Sequence, residues 1–212
     1  MISAVAGLDR LRAGNRRFVE GNLNSEMLAS PARRNALIVD QAPFAIILGC
    51  SDSRVPLEII FGQGLGDLFV IRVAGNVVAP SQIGSIEYAA EQFGCPLVIV
   101  LGHSNCGAVI ATLEQLQGPD ENRSPNLRSI VGRIEPSIEG LLKTDARHDS
   151  EQLLEQAVQA NIRASVEQLR HGSEILETLL LNGELQIIGA EYSLKTGKIE
   201  FFEGERPDDN GD

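Results

Sequence analysis

The chain has 212 residues, 43% hydrophobic and 22% charged, a balance that suits one folded domain with a substantial core and argues against a chain disordered as a whole. Its formal net charge of -11 is not offset by any basic block, which argues against a surface that tracks nucleic-acid phosphates. No apolar stretch has the length of a membrane span or the make-up of a secretory signal, so no membrane insertion and a cytoplasmic location are expected.

Leu8, Leu11 and Phe18 fall at helical spacing around Asn15 and predict an amphipathic helix from about residue 5 to 20, the main part of a helical arm over residues 1–35. Three short apolar runs follow: "PFAIILG" (43–49), "LFVIRVA" (68–74) and "PLVIVLG" (96–102). They are rich in Val and Ile and bounded by Gly and Pro, as expected of strands buried on both faces. "LQIIGAEYS" (185–193) reads as a fourth strand. "KIEFFE", after the "KTGK" turn, reads as a fifth that forms an antiparallel edge hairpin. Helical patterns separate the first four. The predicted fold class is therefore α/β: a mostly parallel central sheet of four strands plus an antiparallel edge strand, flanked by helices, with the N-terminal helical arm, in one domain over 1–212.

Between residues 81 and 93 the core stripe is Ile83, Ile86, Ala90 and Phe93, while Gly84 and Tyr88 point the opposite way on a helical wheel. Tyr88 is then either a solvated or interfacial side chain or a functional one. From 128 to 182 the pattern is helical nearly throughout, with stripes Ile130, Ile134, Ile138, Leu141 and Leu154, Val158, Ile162, Val166. Pro136 is expected to kink or break the first of these. The acidic, turn-rich end, residues 205–212, is expected to fray. No internal repeat is found.

The chemistry concentrates at two strand ends. "CSDSR" places Cys50, Asp52 and Arg54 two apart after the first strand, and "HSNC" places His103 and Cys106 after the third. Alternation puts Cys50, Asp52 and Arg54 on one side of an extended segment, unless a tight turn alters this. Cys106, at the start of a helix, gains from the positive helix end, which favours its thiolate. Two thiols and one imidazole suit catalytic zinc, which accepts soft sulfur and borderline nitrogen and keeps a fourth position for water. The odd cysteine count fits a reduced compartment and metal use rather than a disulfide framework. Cys95 reads as a buried thiol, and His148 and His171 as solvated surface side chains.

The paired motifs resemble those of the β-class carbonic anhydrases, C-x-D-x-R followed by H-x-x-C, and the resemblance runs from about Gln41 to Gly107. It implies zinc ligands Cys50, His103 and Cys106, one Zn2+ per chain, and a catalytic dyad of Asp52 and Arg54, with Asp52 on the metal only in a closed form. It further implies a substrate pocket of Gln41, Phe69, Tyr88 and Gly107, and places Ala74 where a larger apolar side chain often lines the CO2 cavity. In the family Gln41, Phe69 and Tyr88 would reach a neighbour's site, so a homodimer or tetramer with active sites at the dimer interface is implied. The implied reaction is reversible hydration of CO2 to bicarbonate and a proton, by hydroxide from zinc-activated water. Ile47 stands where members with a bicarbonate-regulated closed state carry tryptophan, which implies the constitutively open type. Two alternatives stay open: hydrolysis of carbon disulfide or carbonyl sulfide on the same fold, and a non-catalytic binding protein stabilised by zinc.

Overall fold

The computed structural model describes residues 2–118 and 124–202. Five strands form one sheet in the order β2-β1-β3-β4-β5: β1 (Ala45–Gly49), β2 (Leu68–Arg72), β3 (Leu97–His103), β4 (Gln186–Tyr192) and β5 (Ile199–Phe201). β1 pairs in parallel with β2 and β3, β3 in parallel with β4, and β5 returns antiparallel to β4. The expected sheet, with four parallel strands and one antiparallel edge, is the observed one. Every residue of the two central strands β1 and β3 is buried, which is why both read as unbroken apolar runs.

Successive side chains alternate between two cores. Ile46, Leu48, Val98 and Val100 face the helices α5 (Pro80–Phe93), α6 (Gly107–Gln117), α7 (Pro125–Ile138), α8 (Ser150–His171) and α9 (Glu174–Leu181). Ala45, Ile47, Leu97 and Ile99 face the N-terminal side, where α1 (Ala4–Val19) buries Leu8 and Leu11. Each such leucine stabilises by about 1.5–3 kcal/mol relative to exposure. The short helices α2 (Ser25–Ala29) and α3 (Pro31–Ala36) follow α1, and α4 (Leu57–Ile60) lies between β1 and β2.

Asn15 explains how α1 is fixed. Its Nδ2 donates to Ile60 O at 3.0 Å and to Gly197 O at 2.9 Å, and its Oδ1 accepts from Ile199 N at 3.0 Å. One buried amide thereby ties the first helix to α4 and to the β4–β5 hairpin. Gly14, next to it, lets the helix approach so closely that an added Cβ would fall onto the Phe61 carbonyl.

Two expectations need adjustment. β2 is an edge strand, with Phe69 and Val70 half-buried, rather than buried on both faces. Pro136 does not break α7 where it stands: the helix runs on to Ile138 and passes into a 3-10 turn at Glu139–Lys143. So near a helix end, the missing N–H removes one hydrogen bond and little of the helix beyond it. The expected frayed tail, residues 205–212, lies outside the described residues. Among the described residues no helix is long and apolar enough to cross a membrane.

Candidate metal centre

Parallel register brings the two motifs together. Gly49 at the end of β1 pairs with Leu101, so Cys50 leaves its strand beside the end of β3, whose last residue is His103. Asn105, in the left-handed region at φ 55, turns the chain so that Cys106 becomes the N-cap of α6. The ligand atoms of Cys50, His103 and Cys106 all lie within 4.8 Å of one another, and all three residues are buried. His103 Nδ1 sits 2.9 Å from Ser104 O, which makes Nδ1 the N–H donor and leaves Nε2 with a free lone pair. That Nε2 is buried and has no hydrogen-bond partner. A buried acceptor beside two sulfurs, oriented by a bond from the other ring nitrogen, is what a metal ion requires.

The two thiols are coupled. The bond from Cys106 brings the Cys50 pKa down to about 4 against the opposing effect of burial, with help from the backbone N–H of Gly75. The Gly75 N–H lies 3.3 Å from the Cys50 sulfur. Cys106 moves the other way, pushed up by its bond to Cys50 and by burial, although the backbone N–H groups of Val109 and Ala108 pull it down. The two sulfurs are thus coupled, a proton on one stabilising a thiolate on the other, and the N–H groups at the start of α6 favour the Cys106 thiolate as expected. A metal held by both sulfurs would release that proton.

Arg54 grips Asp52 with both prongs. Nε donates to Oδ1 at 2.9 Å and Nη2 to Oδ2 at 2.7 Å, while the Arg54 backbone N–H adds a bond to Oδ1 at 2.9 Å. These bonds hold the Asp52 carboxyl well below the usual carboxylate range, so it is ionised at any working pH. Oδ2 lies 3.8 Å from His103 Nε2, close to where a metal would sit. The simple alternation expected over 50–54 is not how this is achieved. Val55 N donates to Asp52 O at 3.1 Å, closing a tight turn that folds Arg54 back over Asp52.

Comparison with known proteins agrees with this geometry. The family profile described as carbonic anhydrase matches residues 45–199. A carbonic anhydrase of Mycolicibacterium smegmatis is 41% identical over 207 residues, covering 92% of each chain. Carbonic anhydrase 2 of Mycobacterium tuberculosis is 39% identical over 196 residues, with 92% of this chain and 90% of that one covered. The chain belongs to the β-carbonic anhydrases. Among solved structures, the β-carbonic anhydrase CcaA superposes with a TM-score of 0.72 at 29% identity, covering 94% of this chain and 89% of that one. A structure from a study of two tetrameric β-carbonic anhydrases of Sordaria macrospora shares the fold at TM-score 0.73 and 24% identity, covering 82% of this chain and 88% of that one.

In this β-carbonic anhydrase chain the remaining expected residues fall into two groups. Ala74 and Gly107 border the metal centre: Ala74 opens a 3-10 turn (Ala74–Asn76), and Gly107 begins α6, where an added Cβ would meet nothing within 4 Å. Phe69 and Tyr88 lie together at the β2 edge, their ring centroids 6.3 Å apart, with Phe93 between 5.6 and 6.0 Å from them. Tyr88 is 54% exposed, as the helical wheel implied, and Gln41 is exposed in the segment leading into β1. Cys95 is a buried thiol whose Sγ donates to Pro43 O at 3.0 Å, and burial pushes its pKa up to about 11. His148 and His171 are exposed, as expected. Sequence reasoning missed Arg72, which donates to Cys50 O at 3.0 Å and to Asp52 O at 2.6 Å and so braces the turn between them. A cavity of about 1030 Å³ opens beside Ser104 and Asn105, lined also by Glu155 and Glu191, but holds none of the three candidate ligands.

Proposed function

We propose that this chain hydrates CO2 reversibly to bicarbonate and a proton, using one zinc ion per chain held by the sulfurs of Cys50 and Cys106 and by His103 Nε2. The observation that carries the reading is the two-pronged hold of Arg54 on Asp52 beside the unpartnered His103 Nε2. A zinc ion held there would lower the pKa of a water molecule toward neutrality, the chemistry that would supply the nucleophile. The chain's own residues have separate tasks. Arg54 keeps the Asp52 carboxylate turned away from the metal position, and Asp52 accepts a hydrogen bond that aims the nucleophile's lone pair at the carbon. Ala74 and the open space over Gly107 leave room for a small linear substrate. Gln41 donates to a substrate oxygen, and Phe69 and Tyr88 keep the cavity apolar enough for CO2.

The last three act in a second copy's site. The exposure of Tyr88 and the half-buried edge strand that carries Phe69 support a homodimer as the minimal unit, paired further into a tetramer. Ile47, fully buried in β1, supports the constitutively open type, in which Asp52 never ligates the metal. A cytoplasmic location goes with three free cysteines.

The small Ala74 side chain is the one feature that also suits the larger sulfur of carbonyl sulfide or carbon disulfide. Both activities are therefore to be assayed on one preparation. The expected outcome is rapid proton release from CO2 with sulfide release from either sulfur compound far slower; the reverse order would reassign the substrate.

A further inference from the structure

We infer that Asn161, with Ser165 beside it, is a positioning residue for the metal centre: from α8 it holds the turn whose Gly75 N–H donates to the Cys50 sulfur. This role rests on the zinc reading above and extends it to a helix that carries none of the ligands.

The turn Ala74–Asn76 has two successive left-handed residues, Gly75 at φ 70 and Asn76 at φ 46. Such a conformation is uncommon for a residue with a Cβ and persists where the surroundings hold it. The bend aims the Gly75 N–H at Cys50 Sγ, 3.3 Å away, and turns the Gly75 and Asn76 carbonyls toward α8. There Asn161 Nδ2 donates to Gly75 O at 2.8 Å and Ser165 Oγ donates to Asn76 O at 3.2 Å. Asn161 and Ser165 are four residues apart, so they share one face of the helix. That face is otherwise apolar, with Val158, Ile162 and Val166 buried around them, and the two polar side chains are themselves only 2% and 4% exposed. Burying polar groups there is costly unless they are bonded, and the two carbonyls are their partners.

The turn is confined on its other sides as well. An added Cβ on Gly75 would come within 2.8 Å of Ile134 Cδ1 on α7 and 3.0 Å of Ala108 Cβ on α6. Packing thus fixes where the turn sits, and the two bonds from α8 fix its rotation, which decides whether the Gly75 N–H meets the sulfur. An N–H bonded to a ligating sulfur orients it and draws off part of its charge, so partners of this kind shape the metal site without touching the metal.

The test uses the full chain carrying Asn161→Leu or, separately, Ser165→Ala, each compared with the wild type. Zinc affinity is measured by competition with a chromophoric chelator. The sulfur-to-metal absorption band is measured after loading with cobalt(II), and a thermal melt is recorded alongside. Asn161→Leu is expected to weaken zinc binding about tenfold and to shift the cobalt band, with Ser165→Ala moving both in the same direction by less. If both variants fold with wild-type affinity and an unmoved band, and only the melting temperature falls, Asn161 and Ser165 serve helix packing alone and the positioning role is overturned. Should Asn161→Leu fail to fold, Ser165→Ala decides by the same two readouts. A wild type that takes up neither metal overturns the zinc reading and this role together, whereas a metal-binding wild type with unchanged variants overturns this role only.

Discussion

Arg54→Ala is expected to fold, to keep its zinc and to lose CO2 hydration by at least about 100-fold, the scale of loss that follows from misplacing a group at a reacting centre. The fold should survive because Arg54 is exposed and its bonds are to the Asp52 side chain and to Asn105 O, not to the core. Activity should not survive, because the released Asp52 remains a carboxylate with Oδ2 only 3.8 Å from His103 Nε2. With the guanidinium gone only the backbone N–H of residue 54 still holds Oδ1, so Oδ2 is free to become a fourth ligand for a metal bound there and would occupy the place of the water. Zinc content and a stopped-flow assay on the same sample check this. Zinc-loaded Arg54→Ala with near wild-type turnover would mean that Asp52 needs no restraint and that the dyad has no role.

Cys106→Ala is expected to lose zinc itself. With one sulfur gone, Cys50 and His103 remain, two ligands where a catalytic zinc site uses three. Loss of a ligand should exceed the roughly 100-fold upper cost of removing a group that only supports one. Cys95→Ala serves as the control. Its thiol is buried and bonded to Pro43 O, away from the three ligand atoms, so zinc per chain should be unchanged after dialysis. Stoichiometric zinc in Cys106→Ala, with Cys95→Ala depleted, would reassign the ligand set.

Much of the architecture is legible because the central strands are buried on both faces. Ile46 to Leu48 and Val98 to Leu101 have no solvent side, so the runs are unbroken and the strand ends, with Cys50 and His103 on them, can be placed from residue type alone. The outward direction of Tyr88 also follows from helical spacing. β2 is read less well, because an apolar edge strand gives the same pattern as an interior one; its half-buried Phe69 is visible only once the strand order is known. The three ligands are legible as a pair of motifs. Their surroundings are not: the turn that folds Arg54 onto Asp52 overrides simple alternation, and the hold of Asn161 on Gly75 spans 86 positions, which no local spacing reports. The coupling of the two thiols has the same origin. The helix end that favours a Cys106 thiolate is read from its neighbours in sequence, while the Cys50 sulfur beside it arrives through the sheet.

Because Arg54 keeps Asp52 ionised far below neutrality, the dyad is already formed at pH 7 and gains nothing as the pH rises. Neither Asp52 release nor its protonation should therefore gate activity near neutral pH. Stopped-flow CO2 hydration at about pH 7 and about pH 8.5, on protein of measured zinc content, is the decisive measurement. Rapid hydration is expected at both values with about one zinc per chain. Full zinc with no hydration at either value would contradict it.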